Sequence, residues 1–218
     1  MSDLFDNADL PSGPPSGAGL ACRPLADRLR PKTMSDVVGQ SQLLGPEAPL
    51  SVMLSSGQLS SLIFWGPPGV GKTTMARLLA RETDLHFVQI SAIFTGMAEL
   101  KKVFEAARIR HQNGFGTLLF VDEVHRFNKA QQDGFLPHME DGTILLVGAT
   151  TENPSFELNA ALLSRAQVMV LHRLDDAALE ELLARAEAME KRELPVDDDA
   201  RLALRAMADG DGRYLLNL

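Results

Sequence analysis

The stretch Ser61-Leu-Ile-Phe-Trp-Gly-Pro-Pro-Gly-Val-Gly-Lys-Thr73 decides the fold of this chain. It opens with a short apolar run, and the glycines and prolines that follow are typical of a loop behind a buried strand. Residues 66–73 fit the pattern G-x-x-x-x-G-K-[ST], and residues 72–83 carry apolar side chains at helical spacing. A strand, a glycine-rich loop and a helix in this order predict a P-loop, whose backbone N–H groups turn inward around phosphates.

The residues of this loop have expected roles in binding a nucleotide. Lys72 would reach the β- and γ-phosphates of ATP as a point charge, and the hydroxyl of Thr73 would hold Mg²⁺. The other residues expected around the nucleotide are Gly66, Pro67, Pro68, Gly69, Val70, Gly71 and Thr74. The alternative, a glycine-rich turn with a surface lysine, does not explain the strand before the loop and the helix after it.

Apolar runs alternate with helical patterns as far as His172. The strand-like runs are 61–65, 86–90, 117–121, 144–147 and 168–171, and the helical patterns between them include 72–83 and 98–110. This alternation predicts an α/β fold with a parallel five-stranded sheet flanked by helices. Beyond His172 only helical patterns remain. We therefore expect a disordered tail (1–22), a nucleotide-binding α/β domain (23–172) and a helical lid domain (173–218) that the end of the chain truncates.

A second motif, Leu118-Leu-Phe-Val-Asp-Glu123, is an apolar run that ends in two carboxylates. Ligands of open α/β sheets bind at the carboxyl ends of the strands, which is where these two groups would lie. We expect Asp122 to hold Mg²⁺, directly or through water, and Glu123 to polarise the attacking water as a general base. Such a run is common by itself. In combination with the P-loop it indicates ATP hydrolysis rather than binding alone.

The run 144–151 (ILLVGATT) is another strand with polar residues at its end. A hydroxyl at that place can orient water between the carboxylates and the γ-phosphate, and Thr151 is the residue that we expect to do so. Thr150 is the alternative, and an ordinary threonine at a strand end is a third interpretation. Two arginines, Arg165 and Arg213, would be taken for solvated surface residues if nothing further were known.

Composition limits the class of protein. The 218 residues carry a formal net charge of −8, and 45% of them are apolar, which is sufficient for a sizeable core. The single cysteine, Cys22, excludes an internal disulfide and a cysteine-based zinc site. The acidic balance argues against a protein that coats nucleic acid generally, although a local basic patch can still bind DNA. No apolar run approaches the length of a membrane helix, so we expect a cytoplasmic protein.

Together these motifs resemble those of AAA+ ATPases. The segments Pro24–Thr33 and Val37–Gln40 resemble the corresponding part of the clamp-loader clade. The longer segments Asp122–Asp133 and Gly148–Asn159 are similar to those of the RarA (MgsA) family of replication-associated recombination proteins, which is related to the eukaryotic Werner helicase-interacting protein. The resemblance covers roughly residues 24–218.

The resemblance implies roles for residues around the nucleotide. Val38 and Gly39 would line the adenine pocket, and Asp122 and Glu123 would form the Walker B pair. Thr151 would take the sensor 1 position. Ser91, at the end of the second strand, matches a polar position that can hold the glutamate idle until DNA arrives.

The resemblance also implies roles for the two arginines and for a second copy of the chain. Arg165 matches the arginine finger, which acts on ATP bound to a neighbouring subunit, and Arg213 matches sensor 2, which closes the lid on the γ-phosphate. Family members continue into a C-terminal helical collar that assembles a homotetramer. We therefore expect this chain to be a fragment or truncated product.

The function that this resemblance implies is that of an Mg²⁺-dependent, DNA-stimulated ATPase that acts in fork maintenance, recombination and repair by remodelling DNA ends or gaps at the nucleoid. The alternatives are a clamp-loader subunit, a Holliday-junction branch-migration motor, and an ATP-binding interaction module with little turnover. The motifs Arg126-Phe-Asn-Lys129 and Glu152-Asn-Pro-Ser-Phe156 speak against the first two.

DNA and protein partners are expectations of the same kind. The basic residues that could contact DNA phosphates, or equally form solvated helix faces, are Lys101, Lys102, Arg108, Arg110, His111, Arg126 and Lys129. His125 and Arg126 could instead couple DNA or a neighbouring subunit to the active site. A single-strand-binding protein is a plausible partner, and Leu4–Phe5 in the tail could dock to a sliding clamp.

Overall fold

The computed structural model describes residues 23–218, so the predicted tail and its Leu4–Phe5 pair lie outside the described residues. Five parallel strands form one sheet in the order β2-β3-β4-β1-β5. The strands are β1 (Leu62–Trp65), β2 (His86–Ser91), β3 (Thr117–Asp122), β4 (Leu145–Thr150) and β5 (Gln167–Val170). The predicted α/β fold with a parallel five-stranded sheet is confirmed.

Helices cover both faces of this sheet and form the C-terminal part of the chain. Those of the first part are α1 (Leu25–Arg28), α2 (Ser41–Leu44), α3 (Pro49–Ser56), α4 (Lys72–Glu82), α5 (Met97–Gln112), α6 (Lys129–Asp133), α7 (Leu136–Glu140), α8 (Pro154–Glu157) and α9 (Ala160–Leu163). The predicted lid, residues 173–218, contains α10 (Asp176–Glu190), α11 (Asp198–Ala208) and α12 (Gly212–Leu215), and 3-10 turns cover Met34–Asp36 and Val124–Arg126.

The central strands are buried on both faces, as their continuous apolar sequences predict. Successive side chains point to opposite sides of a strand, so Leu118 and Phe120 enter one core while Leu119 and Val121 enter the other. The first core lies beneath α4 and the second beneath α5. A hydrophobic core packs against each face of β1, β3 and β4. The carboxyl ends of these strands are therefore rigidly positioned, and polar residues there have defined places.

Two short helices between β3 and β4 were not predicted. α6 and α7 have five residues each, which is too short for an apolar period to show. A start signal for α6 is present, since the side chain of Asn128 accepts a hydrogen bond from the backbone N–H of Gln131, and the Gln131 side chain accepts one from the N–H of Asn128.

The lid packs around its own small core and is joined to the first part of the chain. Leu174, Leu179 and Leu183 contribute to that core, and Val38 from the N-terminal segment packs against it. The buried amide of Gln40 donates to the carbonyl of His172 at 2.8 Å and accepts from the backbone N–H of the same residue at 3.1 Å. The predicted boundary between residues 172 and 173 thus lies where the N-terminal segment is tied to the end of the sheet.

Among residues 23–218, no helix combines the length and the apolar character that crossing a membrane requires.

Candidate nucleotide-binding site

The P-loop joins β1 to the beginning of α4. Gly71 precedes the helix with a φ of 100°, a left-handed conformation that side chains rarely adopt, and it leaves the first N–H groups of α4 without a side-chain cap. These N–H groups and the positive end of the helix dipole together suit an anion. Gly69 is required for another reason, because a Cβ there would lie 1.7 Å from Oδ1 of Asp211 in the lid.

Lys72 is buried near the two carboxylates at the carboxyl end of β3. Its Nζ donates to the carbonyl oxygens of Gly66 and Pro67, each at 2.7 Å. Burial lowers the pKa of this ammonium, and the nearby carboxylates of Glu123 and Asp122 oppose that change by favouring the charged form. The side chain is therefore placed to exchange backbone carbonyls for phosphate oxygens.

Asp122 and Glu123 occupy different backbone conformations at the end of β3. Asp122 is the last residue of the strand and pairs in register with Ser91 of β2. Glu123 has a φ of 54°, which is uncommon for a residue with a side chain and is often found where function demands a particular orientation. The chain turns sharply at this residue and enters the 3-10 turn Val124–Arg126.

These groups face one cavity of about 530 Å³, a volume within the range of small-molecule sites. The predicted residues that line it are Val38, Pro68, Gly69, Val70, Gly71, Lys72, Thr73, Thr74, Asp122, Glu123, Thr151 and Arg213. The structure does not bring Gly39, Gly66 or Pro67 to the wall. The backbone oxygens of Gly66 and Pro67 bind Lys72, and Gly39 packs against Leu174 and Ala178 of the lid.

The two neighbouring threonines at the end of β4 point to different places. Thr151 lines the cavity together with the two carboxylates. Thr150 is fully buried, and its Oγ1 lies 2.8 Å from Nδ1 of His125 and accepts a hydrogen bond from the backbone N–H of Glu152 at 3.0 Å. Of the two alternatives for a hydroxyl near the γ-phosphate, the geometry favours Thr151.

The two arginines are also separated. Arg213, in the first turn of α12, lines the cavity from the side of the lid. Arg165 does not line it. Its guanidinium donates to Oε1 of Glu140 on the exposed surface, with Nε 2.7 Å and Nη2 2.5 Å from that oxygen. Ser91 is half-buried at the end of β2 and does not line the cavity either.

Sequence reasoning missed one wall of the cavity. Residues of the N-terminal segment and the lid complete the lining, including Pro24, Asp27, Arg30, Pro31, Leu174, Leu182, Leu216 and Asn217. Arg30 donates to Asp27 and, through this hydrogen bond, lowers the pKa of that carboxyl. The sequence of residues 24–33 shows only a resemblance to the clamp-loader clade, since nothing in its local pattern predicts a cavity wall shared with the lid.

The residues of the cavity fit ATP with Mg²⁺. Thr73 and Asp122 offer a hydroxyl and a carboxylate, and Mg²⁺ typically takes one or two protein oxygens in addition to phosphate oxygens and water. Within the described range 23–218, no group of three or more histidine, cysteine, aspartate or glutamate side chains could hold a metal ion by itself. Phosphate oxygens and water would complete the ligands of a cation held by Thr73 and Asp122.

Comparisons with known proteins agree with this geometry. Residues 62–174 match the model of the ATPase family associated with various cellular activities (AAA). Replication-associated recombination protein A of Escherichia coli is 47% identical over 200 residues, which are 89% of this chain and 45% of that protein. The ATPase WRNIP1 of Dictyostelium discoideum is 43% identical over 199 residues, 89% of this chain and 23% of that protein.

A solved structure, the RuvB Holliday junction branch migration motor of Thermotoga maritima, matches with a TM-score of 0.72 and 27% identity over 87% of this chain and 63% of that one. The chain spans less than half the length of the two curated relatives described above. The similarity to RarA and Werner helicase-interacting proteins that the motifs predicted is confirmed, as is the prediction of an ATP hydrolase at the level of the family. Because the family model covers more than half of its residues, the chain belongs to the AAA family of ATPases.

Proposed function

We propose that this chain hydrolyses ATP with Mg²⁺ and uses the reaction to act on DNA in replication and recombination. The observation that supports this most is the assembly of the P-loop, Asp122, Glu123, Thr151 and Arg213 around one cavity. The names of its relatives, replication-associated recombination protein A and a branch migration motor, supply the biological context.

Binding would begin at the P-loop. The uncapped N–H groups of α4 and the ammonium of Lys72 would neutralise the phosphates. Val38 lies on the wall of the same cavity and would contact the adenine ring. Thr73 and Asp122 would hold Mg²⁺, which neutralises charge on the β- and γ-phosphate oxygens when it is bound.

Hydrolysis would use the end of the sheet. The carboxylate of Glu123 takes a proton from the attacking water, and the hydroxyl of Thr151 on the neighbouring strand orients that water. Arg213 approaches from the lid, so binding of the γ-phosphate would draw the lid against the P-loop. Positioning and charge stabilisation account for most of the catalysis in this type of reaction.

A second copy of the chain would complete the site. Arg165 lies on the exposed surface and outside its own cavity, as an arginine finger for a neighbouring subunit requires. Its partner Glu140 is also exposed, and a surface ion pair of this kind stabilises by only about 0–1 kcal/mol. Arg165 can therefore leave Glu140 for a γ-phosphate at little cost. We also propose that copies of this protein assemble into a tetramer.

DNA would contact the basic residues near α5 and α6. Lys101, Lys102, Arg126 and Lys129 are exposed. Phe94, 84% exposed, lies in the turn between β2 and α5, close in sequence to the first two lysines. An exposed aromatic ring that is close in sequence to cations suits a single strand, since bases stack on such a ring while the cations contact phosphates.

The proposed function is tested by steady-state ATP turnover across a range of protein concentrations, with and without DNA that carries a single-strand gap. We expect specific activity to rise with both protein concentration and DNA. A low rate that is independent of protein concentration, with nucleotide binding intact, would instead identify an ATP-binding interaction module. Stimulation only by four-way junctions would favour a branch-migration motor.

The DNA face has its own matched pair of variants. Phe94→Ala is expected to weaken binding of a labelled single strand by roughly 10-fold, because base stacking on an aromatic side chain contributes about 1–3 kcal/mol. Phe115 precedes β3, at the amino ends of the strands, whereas Phe94 follows β2 at the carboxyl ends. Phe115→Ala removes a ring that is 67% exposed and should leave the binding of the single strand unchanged. Equal losses of affinity in the two variants would exclude the surface around Phe94 as the DNA-binding face.

A further inference from the structure

We infer that His125 is a positioning residue that holds the carboxylate of Glu123 and links it to the end of β4. This inference deepens the proposed function, because it rests on Glu123 acting as the general base. His125 follows Glu123 by two residues in the 3-10 turn, and its side chain is only 5% exposed.

The imidazole of His125 lies between two functional segments. Its Nε2 is 3.3 Å from Oε2 of Glu123, and its Nδ1 is 2.8 Å from Oγ1 of Thr150. Thr150 is the last residue of β4 and directly precedes Thr151, which lines the cavity. The left-handed conformation of Glu123 is what turns the chain so that a residue two positions later can contact its carboxylate.

The contacts determine how the ring must carry its protons. A carboxylate only accepts hydrogen bonds, so Nε2 must bear a proton to interact favourably with Glu123. In the neutral ring Nδ1 then accepts from the hydroxyl of Thr150, whose oxygen in turn accepts from the backbone N–H of Glu152. With this tautomer, both nitrogens of a buried ring have a partner. The carboxylate of Glu123 fixes the proton on Nε2, and the hydroxyl of Thr150, which also lies 3.2 Å from the carbonyl oxygen of Glu152, turns its proton to Nδ1.

This arrangement gives the end of β4 a direct influence on the base. A glutamate side chain has three rotatable bonds, and His125 restricts those of Glu123 from one side. A displacement of Thr151 on contact with a γ-phosphate would move Thr150, and through His125 the carboxylate. The contact of Glu123 with His125 leads to β4, whereas the resemblance suggested a link to Ser91 at the end of β2.

The first test separates positioning from packing. Thr150→Val keeps the shape of the side chain but removes the hydroxyl, and we expect kcat to fall by roughly 10- to 100-fold, as misplacement of a catalytic group does. The dissociation constant for ATP should change by no more than about twofold, because the phosphate-binding residues are untouched. Thr150→Ser restores a hydroxyl and should restore kcat.

Thr117→Val is the matched control, since Thr117 is a buried threonine at the other end of β3 whose hydroxyl has no partner among the described residues. It should leave kcat unchanged. A Thr150→Val variant with the kcat of the wild type, or a Thr150→Ser variant as slow as Thr150→Val, would overturn the inference.

The second test does not depend on turnover. Nitrogen-15 NMR of the histidine-labelled chain, with the His125 signal assigned from His125→Gln, should show a proton on Nε2. That signal should shift in Glu123→Gln and in Thr150→Val, but not in Thr117→Val. A His125 ring that is unprotonated at Nε2, or that is insensitive to both substitutions, would refute the contact. If the wild type binds ATP without turnover, the proposed function fails, and the NMR result alone then decides the inference.

Discussion

The nucleotide cavity and the surface around Arg165 are built in opposite ways. The side chains predicted to act on the nucleotide lie at the ends of buried strands or at helix starts, and residues from distant parts of the chain converge on one cavity. Arg165 lies just beyond the short helix α9 on an exposed surface, with Glu140 and the carbonyl of Ala161 as its partners. The difference is that one chain lines the nucleotide cavity without Arg165, as the proposed action of this residue on a neighbouring subunit requires.

The physical reason lies in the sheet. The carboxyl ends of parallel strands emerge at the same edge, so β3 and β4 deliver Asp122, Glu123 and Thr151 next to the P-loop after β1. Arg165 precedes β5 and belongs to the opposite end of a strand. Arg165 does not line the cavity of its own chain, which makes the comparison testable with substitutions.

The largest effect is expected for Arg165→Ala. An arginine finger contributes about 10³-fold or more to turnover, so DNA-stimulated activity should fall by that factor while ATP binding stays intact. Mixing this variant with Glu123→Gln should restore activity, because the first supplies an intact base and the second an intact finger. Arg81→Ala, which removes an exposed arginine in the last turn of α4 and away from the proposed DNA face, is the control.

If the mixture of Arg165→Ala and Glu123→Gln stays inactive while wild-type turnover rises with protein concentration, the finger does not act between subunits, and the comparison between the two regions fails.

Glu123→Gln alone should lower turnover by at least about 10²-fold, because a positioned general base typically contributes 10²- to 10⁴-fold. The amide keeps the shape of the carboxylate, so ATP binding measured by a fluorescent analogue should be preserved. Glu99→Gln on the exposed face of α5 should behave as the wild type. A variant at Glu123 with full activity would remove this residue from the mechanism.

A smaller effect is expected for Glu140→Gln, which releases Arg165 from its ion pair. Since an exposed pair is worth about 0–1 kcal/mol, the rate at saturating ATP should stay the same or increase by up to about fivefold. Single-turnover rates of Glu140→Gln and the wild type provide the measurement. A loss of tenfold or more would instead mean that Glu140 is needed to place the finger.

The smallest effect concerns the stability of the lid. Hydrogen bonds from Arg201 and from the backbone N–H of Leu194 lower the pKa of Glu187 from 4.5 to about 2. The carboxylate therefore stabilises the fold above about pH 4.5, and this contribution is lost as the pH falls toward 2. Glu187→Gln should lower Tm by no more than a few degrees at neutral pH, and the difference should narrow below pH 4.5.

Glu181→Gln, which breaks the exposed pair with Arg185 on the same helix, is the control for that series. Thermal unfolding of the three proteins between pH 7 and pH 3 provides the measurement. A difference between the wild type and Glu187→Gln that grows as the pH falls would contradict the assignment, because the sign of the pH dependence would then be reversed.

Much of this molecule can be predicted from local patterns. The five strands appear as apolar runs within a few residues of their bounds. The central strands β3 and β4 are buried on both faces, which favours such runs, whereas the edge strands β2 and β5 are only partly buried. The P-loop and the Asp122–Glu123 pair are contiguous motifs, so their chemistry and their spacing are both visible in the sequence. Helices α6 and α7 escaped because five residues do not complete two turns.

Other features depend on contacts between residues that are far apart in the chain. Gln40 meets His172 across 132 positions, and His125 meets Thr150 across 25, and neither pairing leaves a local signal. The sequence by itself determined the α/β order and the phosphate-binding loop, and it predicted Glu123 as the base, since these follow from composition and spacing. The tertiary structure alone decided that Thr151 and not Thr150 faces the cavity and that Arg165 faces away from it. It also decided that His125 contacts the carboxylate of Glu123. Strand register and helix packing set where each of these side chains points, and neither can be read from a local pattern.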